Sequence, residues 1–366
     1  MYIVIFTSLL ALYLTFLDSR NIISGGMKWS FLLLTFLGCI HYDYGNDYLA
    51  YLDIFNDVTR YPLNIKNLLS GETFKEPGWA VLCYLFKYIG GFFMMVAVLN
   101  VVQNYLVYCC IKKFVSKSWW TISLLIYLLN DTFYLMNFSM MRQSFVICVF
   151  FGIWNLIVQR RIIISLLILY LCSTIHTSAL ILIPFAFFGY VPTRYSKTLA
   201  ISFTFLYLIF FLSGALLNDV FSTFMQIEDF NNYAEYYDDH GANDSYGIGF
   251  LINNIPFVLS IYYLFVNKGV DDHNNRLAVM LCLFSFIIIP FASIVPLLGR
   301  VGAYFSIYQL IAIPIIYSNI SDKQIRFCAL FVFVFITVYG YYNFFHSPVW
   351  VDKFTTFKTI FPYIFT

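Results

Sequence analysis

The stretch SMMRQSFVICVFFGIWNLIVQRR, residues Ser139–Arg161, decides how this chain folds. Arg142 stands near its start, an apolar run fills 143–158, and Arg160 and Arg161 close it. An apolar run bounded by cations reads as a helix crossing a bilayer, with its charged ends at the two interfaces. The composition agrees. The 366 residues are 61% hydrophobic and 11% charged, with mean hydropathy +0.78, whereas a soluble chain carries about 25% charged residues. The expected fold is therefore an all-α, polytopic integral membrane protein forming one domain over 1–366.

Apolar runs occur at about 2–17, 29–40, 92–111, 119–138, 143–158, 162–175, 178–191, 199–217, 248–266, 277–298, 301–318 and 327–345. They predict about 12 transmembrane helices. A further stretch, 79–91, is interrupted by Lys87 and ends at Gly90-Gly91, so it reads as a half-helix or interfacial helix. Arg20, Lys28, Lys112, Lys113, Lys117, Arg160, Arg161, Arg194, Lys197, Lys268, Arg276, Lys323 and Arg326 fall in alternate loops, 13 of the 21 Lys and Arg. The positive-inside rule makes those loops cytoplasmic. The other parity holds two long acidic loops, expected outside. Loop 41–78 has six acids against three bases, and loop 218–247 has seven acids and no Lys or Arg. Residues 162–191 fit this alternation as two short spans with His176-Thr177 at the outer turn, whereas one long helix would break it.

The net charge of +2 and the absence of a basic run longer than two residues do not speak for nucleic acid. The aromatic share of 21% suits interfacial belts and sugar-facing surfaces as well as lipid packing. All eight cysteines lie in apolar segments without metal spacing and read as small buried hydrophobes. Met1-Tyr2-Ile3 lacks the basic start of a cleavable signal peptide, so the first segment is expected to remain as a span.

Three side chains stand out. Arg142, His176 and Arg300 each sit beside the end of an apolar segment, and the loop parity puts all three on one side. Ionisable groups at such positions are costly and mark a functional site by default. A guanidinium at an interface can snorkel or bind an anion, and it contacts phosphate bidentately. Arg300 in Pro296–Arg300 repeats the position of Arg142. His176, flanked by Ser173, Thr174, Thr177 and Ser178, could be a general base, a phosphate donor or a satisfied structural residue. In loop 41–78, Asp47, Tyr51 and Phe55 share one face of a short amphipathic helix. Glu76 precedes Pro77-Gly78-Trp79 and could complement a helix dipole or orient an arginine. No Walker A, GxGxxG, HExxH, GxSxG or DxD motif occurs, and no metal or cofactor is expected.

The ordered set Gly45-x-Asp47-Tyr48-x-x-Tyr51-x-x-x-Phe55, Glu76-Pro77-Gly78, Arg142-Gln143 and His176-x-Ser178-Ala179 resembles the polytopic bacterial polysaccharide polymerases of the EpsG and Wzy type. One departure is that the family often carries an arginine just before the Gly-x-Asp-Tyr element, where this chain has His41 and Tyr42. Whether Arg60 or another base substitutes stays open. The resemblance implies glycosyl transfer, inverting or retaining, at the outer face of the bacterial inner membrane. The donor would be a growing glycan on undecaprenyl pyrophosphate, and the acceptor a sugar of the next undecaprenyl-pyrophosphate-linked oligosaccharide. Membrane lipids and a chain-length regulator protein would be partners. Arg142 and Arg300 would clamp the pyrophosphate. His176 would be the base or a further diphosphate donor, Asp47 the rival base, and Glu76 would orient a cation. Tyr48, Tyr51 and Trp79 would face sugar or lipid, with Gln143 and Ser178 beside them in the binding site. The rival readings are another lipid-phosphate-dependent glycosyltransferase such as an O-antigen ligase, and a flippase for the same lipid-linked unit.

Overall fold

The computed structural model describes residues 1–60, 62–64, 66, 74–212, 254–266, 273–288 and 296–364. The first helices are α1 (Tyr2–Ser19) and α2 (Gly26–Ile40), followed by strand β1 (His41–Tyr42). Next come α3 (Tyr48–Thr59), α4 (Pro77–Ile89), α5 (Gly91–Phe114) and α6 (Trp120–Leu129). After these run α7 (Met141–Gly152), α8 (Trp154–Val158), α9 (Ile162–Ile175) and a 3-10 helix over Thr177–Tyr190. The remaining helices are α10 (Ser196–Leu212), α11 (Ile255–Val266), α12 (His273–Ile287), α13 (Pro296–Ser306), α14 (Gln309–Ser318), α15 (Lys323–His346) and α16 (Val351–Thr355). Strand β2 (Lys358–Thr359) and α17 (Phe361–Ile364) end the described chain.

The protein is a helical membrane protein. Among the described residues, four helices are long and apolar enough to cross a bilayer: Tyr2–Ser19, Gly91–Phe114, Met141–Val158 and Lys323–His346. A fifth is counted if the pair Gly299–Ser306 and Gln309–Ser318, bent by 54°, is one span. This is fewer than the twelve apolar runs. Loop 218–247 lies outside the described residues. Where the sequence suggests one integral domain, contacts divide the chain into two compact units, Met1–Tyr190 with Thr337–Thr366, and Val191–Ile336. In the second unit, α12 packs against α10, α11, α13 and α14.

Two apolar runs depart from simple spans. The run 119–138 is not one helix. It stops at Leu129, where Asn130 Oδ1 accepts the Thr132 N–H at 3.0 Å, an Asx turn that diverts the backbone. The chain then forms a short 3-10 segment, Leu135–Phe138, buried throughout. The run 178–191 forms the 3-10 helix around Pro184. At about 2 Å per residue its 14 residues extend roughly 28 Å, close to the thickness of a bilayer core.

In the first unit, α2 packs on α1 and α5, and α5 on α4 and α7. Tyr51, Phe55, Trp79, Cys83, Phe92, Met95, Leu99 and Met141 form one buried apolar cluster. The face predicted for Tyr51 and Phe55 therefore packs inward on α4 and α5. The half-helix expected at 79–91 is α4. Its Lys87 Nζ donates to Thr59 O at 2.6 Å, closing the C-terminal end of α3.

The last residues of the chain hold the segment that leads into Asp47. Strands β1 and β2 pair antiparallel, with His41 opposite Thr359 and Tyr42 opposite Lys358. Asp43 takes Lys353 Nζ at 3.1 Å and Lys358 Nζ at 2.7 Å. Asn46 Nδ2 donates to Val349 O at 2.9 Å. Tyr44, fully buried, packs on Phe354, Phe357 and Phe138.

Gly45 is required there twice over. Its φ is +108°, a conformation L side chains rarely adopt, and a Cβ would stand 2.5 Å from Phe138 O. Gly45→Ala is expected to destabilise the protein by about 2 kcal/mol or more, read as a lowered thermal midpoint in detergent. An unchanged midpoint would show that this approach is not needed.

Candidate functional site

Three helix ends in the first unit converge on one carboxylate. Glu76 immediately precedes α4, Arg142 lies in the first turn of α7, and His176 immediately follows α9. Arg142 Nη1 donates to Glu76 Oε2. His176 Nδ1 lies 3.0 Å from Glu76 Oε1, and the Thr177 backbone N–H donates to the same oxygen at 2.8 Å. Thr177 Oγ1 is a more distant donor at 3.4 Å. Glu76 keeps only 9% of its side-chain surface, whereas Arg142 keeps 22% and His176 21%. The anion is thus enclosed, and its two ring and guanidinium partners remain partly open.

Two glycine-dependent approaches set this geometry. Gly78, in the first turn of α4, has no room for a Cβ, which would meet Thr174 Oγ1 at 2.2 Å and the Thr174 carbonyl carbon at 2.9 Å. The start of α4 therefore lies directly on the end of α9, and Glu76 reaches His176 and Thr177. Gly45 brings the Asp47 segment against Phe138 and Ser139, just ahead of Arg142. Ser139 Oγ donates to Asp47 Oδ2 at 3.4 Å.

The guanidinium of Arg142 lies over two aromatic rings, 5.3 Å from the Tyr51 centroid and 5.4 Å from that of Phe74. Its Nε also donates to Tyr51 Oη at 3.4 Å. The charge of Asp47 acts on the same hydroxyl. Cation–π contact and ion pairing fix the plane of the fork, which is the property needed for recognising a planar or tetrahedral oxyanion.

Burial pushes the Glu76 carboxyl up. The hydrogen bonds from His176 and Thr177 and the charge of Arg142 outweigh burial and hold it below the ordinary carboxylate range. An ionised carboxylate facing Nδ1 requires a proton on that nitrogen. The neutral imidazole then carries its lone pair on Nε2, on the far side of the ring, which is the tautomer a general base needs.

The other candidate residues fall differently. Tyr48 and Trp79, expected to face sugar or lipid, are fully buried. Tyr48 packs against His41 and Phe92, and the Trp79 ring lies 5.5 Å from that of Tyr51. Both are packing residues here, Tyr48 on α3 and Trp79 on α4, inside the same buried apolar cluster. Tyr51 is 7% exposed and meets the guanidinium rather than open space. Gln143 is buried and Ser178 exposed. Arg300 is exposed on α13, in the second unit. His41, where the family often has an arginine nearby, is fully buried between Tyr48 and Phe138, and its Nδ1 donates to Gly38 O at 2.6 Å. Among the described residues, no group of three His, Cys, Asp or Glu could hold a metal ion. The sequence reading missed Phe74, the Thr177 N–H and the close approaches of Gly45 and Gly78. The glycines left a signal inside the ordered motifs, but Phe74 and a backbone donor left none.

The sequence model of the EpsG family matches residues 28–365, nearly the whole chain, and the chain belongs to that family. Membership points to a polysaccharide-polymerase type of glycosyltransferase. No curated protein and no solved structure matches it.

Because the Glu76 pKa is depressed in the folded state, its stabilising contribution is present above the unfolded carboxylate pKa of about 4.3 and is lost as pH falls through the folded value. Glu76→Gln removes the anion and leaves Arg142 half-buried without its counter-charge, at an expected cost of roughly 2–3 kcal/mol near neutral pH. Thermal unfolding of both proteins between pH 3 and 8 checks this. The gap should narrow on acidification, and a constant gap would mean that the charge of Glu76 is not what stabilises the fold.

Proposed function

We propose that this protein joins lipid-pyrophosphate-linked oligosaccharides into a polysaccharide, with Arg142 and His176 as its reacting-site side chains and Glu76 holding both. The observation that carries the reading is the enclosed Glu76 carboxylate, which binds a guanidinium and a histidine that both remain partly exposed. Such an arrangement suits a reaction whose leaving group is an anion and whose nucleophile is a hydroxyl.

The chemistry follows from the donor. A sugar on undecaprenyl pyrophosphate is already activated, so no nucleotide is needed. The acceptor hydroxyl forms a bond to the anomeric carbon, the bond from that carbon to the pyrophosphate oxygen breaks, and the electron pair leaves with the pyrophosphate. Arg142 stabilises the developing negative charge. Five N–H donors on a fixed plane let it serve Glu76 and a phosphate oxygen together. His176 Nε2 accepts the hydroxyl proton, and Glu76 stabilises the imidazolium that results. In this proposal Asp47 is the alternative base, and Gln143 and Ser178 contact substrate. In this proposal the reaction lies at the outer face of the inner membrane, opposite the cations that follow α1 and those of α2 and α5, which the positive-inside rule assigns to the inside.

The test uses purified protein in liposomes with undecaprenyl-pyrophosphate-linked repeat units, a chelator and no sugar nucleotide. The expected product is a ladder spaced by one repeat. Arg142→Ala and His176→Ala should each slow its formation by roughly 10²–10³-fold, the usual loss for one charge-assisted contact to a transition state. A ladder unaffected by Arg142→Ala and His176→Ala would overturn the site, and no ladder from folded protein with intact substrate would overturn the reaction.

A further inference from the structure

The end of the first unit far from Glu76 carries a second polar feature. Helices α2 and α5 run antiparallel, since Gly38 near the end of α2 packs on Asn100 while Lys28 and Lys112 line one cleft between the two helices. The cleft has a volume of about 380 Å³, within the usual range for a small-molecule site. The buried cluster around Arg142 touches α5 at Met95 and Leu99. At 1.5 Å per residue, Lys112 lies about 20 Å further along the same helix, so the cleft is separate from the proposed reaction site.

Its lining is divided. At the mouth stand Lys28, Lys112 and the Tyr108 hydroxyl, to which Lys112 Nζ donates at 3.1 Å. Further along the helices the lining is Phe31, Leu32, Val101 and Tyr105 with two polar residues, Thr35 and Asn104, whose side chains bond to their own helices. Leu32 is 47% exposed, Val101 48% and Tyr105 63%. Among the described residues, neither lysine has a carboxylate within ion-pair distance. Asp18, whose field reaches Lys112, is taken by Lys117 Nζ at 2.9 Å and by the Met27 N–H at 3.1 Å. Two cations without an ion-pair partner among the described residues line a cleft whose walls include exposed apolar side chains. A lysine that only snorkelled would need no cleft between helices.

We propose that this cleft binds an anionic glycerophospholipid, with its phosphate on Lys28, Lys112 and the Tyr108 hydroxyl and an acyl chain along Leu32, Val101 and Tyr105. The charge complementarity selects an anion, and the mainly apolar remainder of the lining selects a lipid over free phosphate. By its basic loops this end faces the cytoplasm, where lysines close to a membrane gain from anionic headgroups. The bound lipid would brace α2 against α5, and α2 leads directly into β1 and the Asp47 segment.

Native mass spectrometry of the full chain in detergent tests this, with phosphatidylglycerol, phosphatidylcholine and inorganic phosphate added in separate titrations. The expected result is a discrete phosphatidylglycerol adduct that Lys28→Gln/Lys112→Gln weakens roughly thirtyfold and Lys28→Arg/Lys112→Arg retains. Arg142→Ala should bind the lipid normally, so that failure here and failure of the proposed reaction can be told apart. Equal retention of phosphatidylcholine would mean annular lipid only and overturn the proposal. Displacement of the lipid by millimolar phosphate would mean a free-anion site and overturn it as well. Should the Gln pair fail to fold, the single variants Lys28→Gln and Lys112→Gln provide the reading, and two single variants with undiminished phosphatidylglycerol binding would overturn the proposal.

Discussion

The first unit depends on a buried carboxylate that cannot be left alone. Removing an ionised group from water costs several kcal/mol unless charges and hydrogen bonds replace its solvation. Glu76 meets that requirement through Arg142, His176 and the Thr177 N–H. Those partners come from the start of α7 and the end of α9, whereas Glu76 itself belongs to the start of α4. Satisfying one anion therefore positions three helices. The arrangement that lowers the cost of burial is the same one that sets the direction of the guanidinium and the tautomer of the imidazole.

The apolar surroundings make that arrangement rigid. Trp79 and Tyr51 pack within the cluster under α4, and Tyr51 and Phe74 cover the guanidinium. In a bilayer, close packing rather than removal from water drives such contact, and the cluster holds the polar groups beside it in place. The C-terminal residues add a further constraint. By pairing β2 with β1 and placing two lysines on Asp43, they hold the loop that carries Gly45 and Asp47 against Ser139.

Much of this was legible in the residue pattern and some was not. Helical periodicity does not distinguish a membrane span from a run that turns back, so 119–138 looked continuous although Asn130 diverts it. Tyr48 and Trp79 looked like sugar-facing aromatics because an aromatic's type does not reveal which side of its helix is covered. Glu76, Arg142 and His176 were identifiable individually, because each is an ionisable group at the edge of an apolar run. Their meeting was only one of several options for Glu76, since 66 residues separate Glu76 from Arg142 and 100 separate it from His176. The role of the C-terminal residues had no local signal at all. Lys353 and Lys358 become informative only once Asp43, more than 300 positions away, lies beside them.

Helix ends are the places in an apolar chain where chemistry can be built, because unsatisfied backbone groups and water are both found there. Glu76 shows how such an end is used. A carboxylate just before a helix would ordinarily cap its own first turn, yet Glu76 makes no side-chain cap bond to α4. The first helical residue is Pro77, which has no N–H to satisfy and whose fixed φ already suits a helix start. The proline leaves one unsatisfied donor fewer in the first turn, and the Trp79 N–H is taken by the Glu76 backbone carbonyl at 3.1 Å. The side chain of the acid crosses instead to the end of α9, where it accepts the N–H of Thr177 at the start of the 3-10 helix. Gly78 follows because the crossing needs contact between α4 and Thr174 that no side chain permits. Glu-Pro-Gly is in this sense one device: an acid to hold the cation and the histidine, a proline that starts the helix, and a glycine that brings the acid within reach.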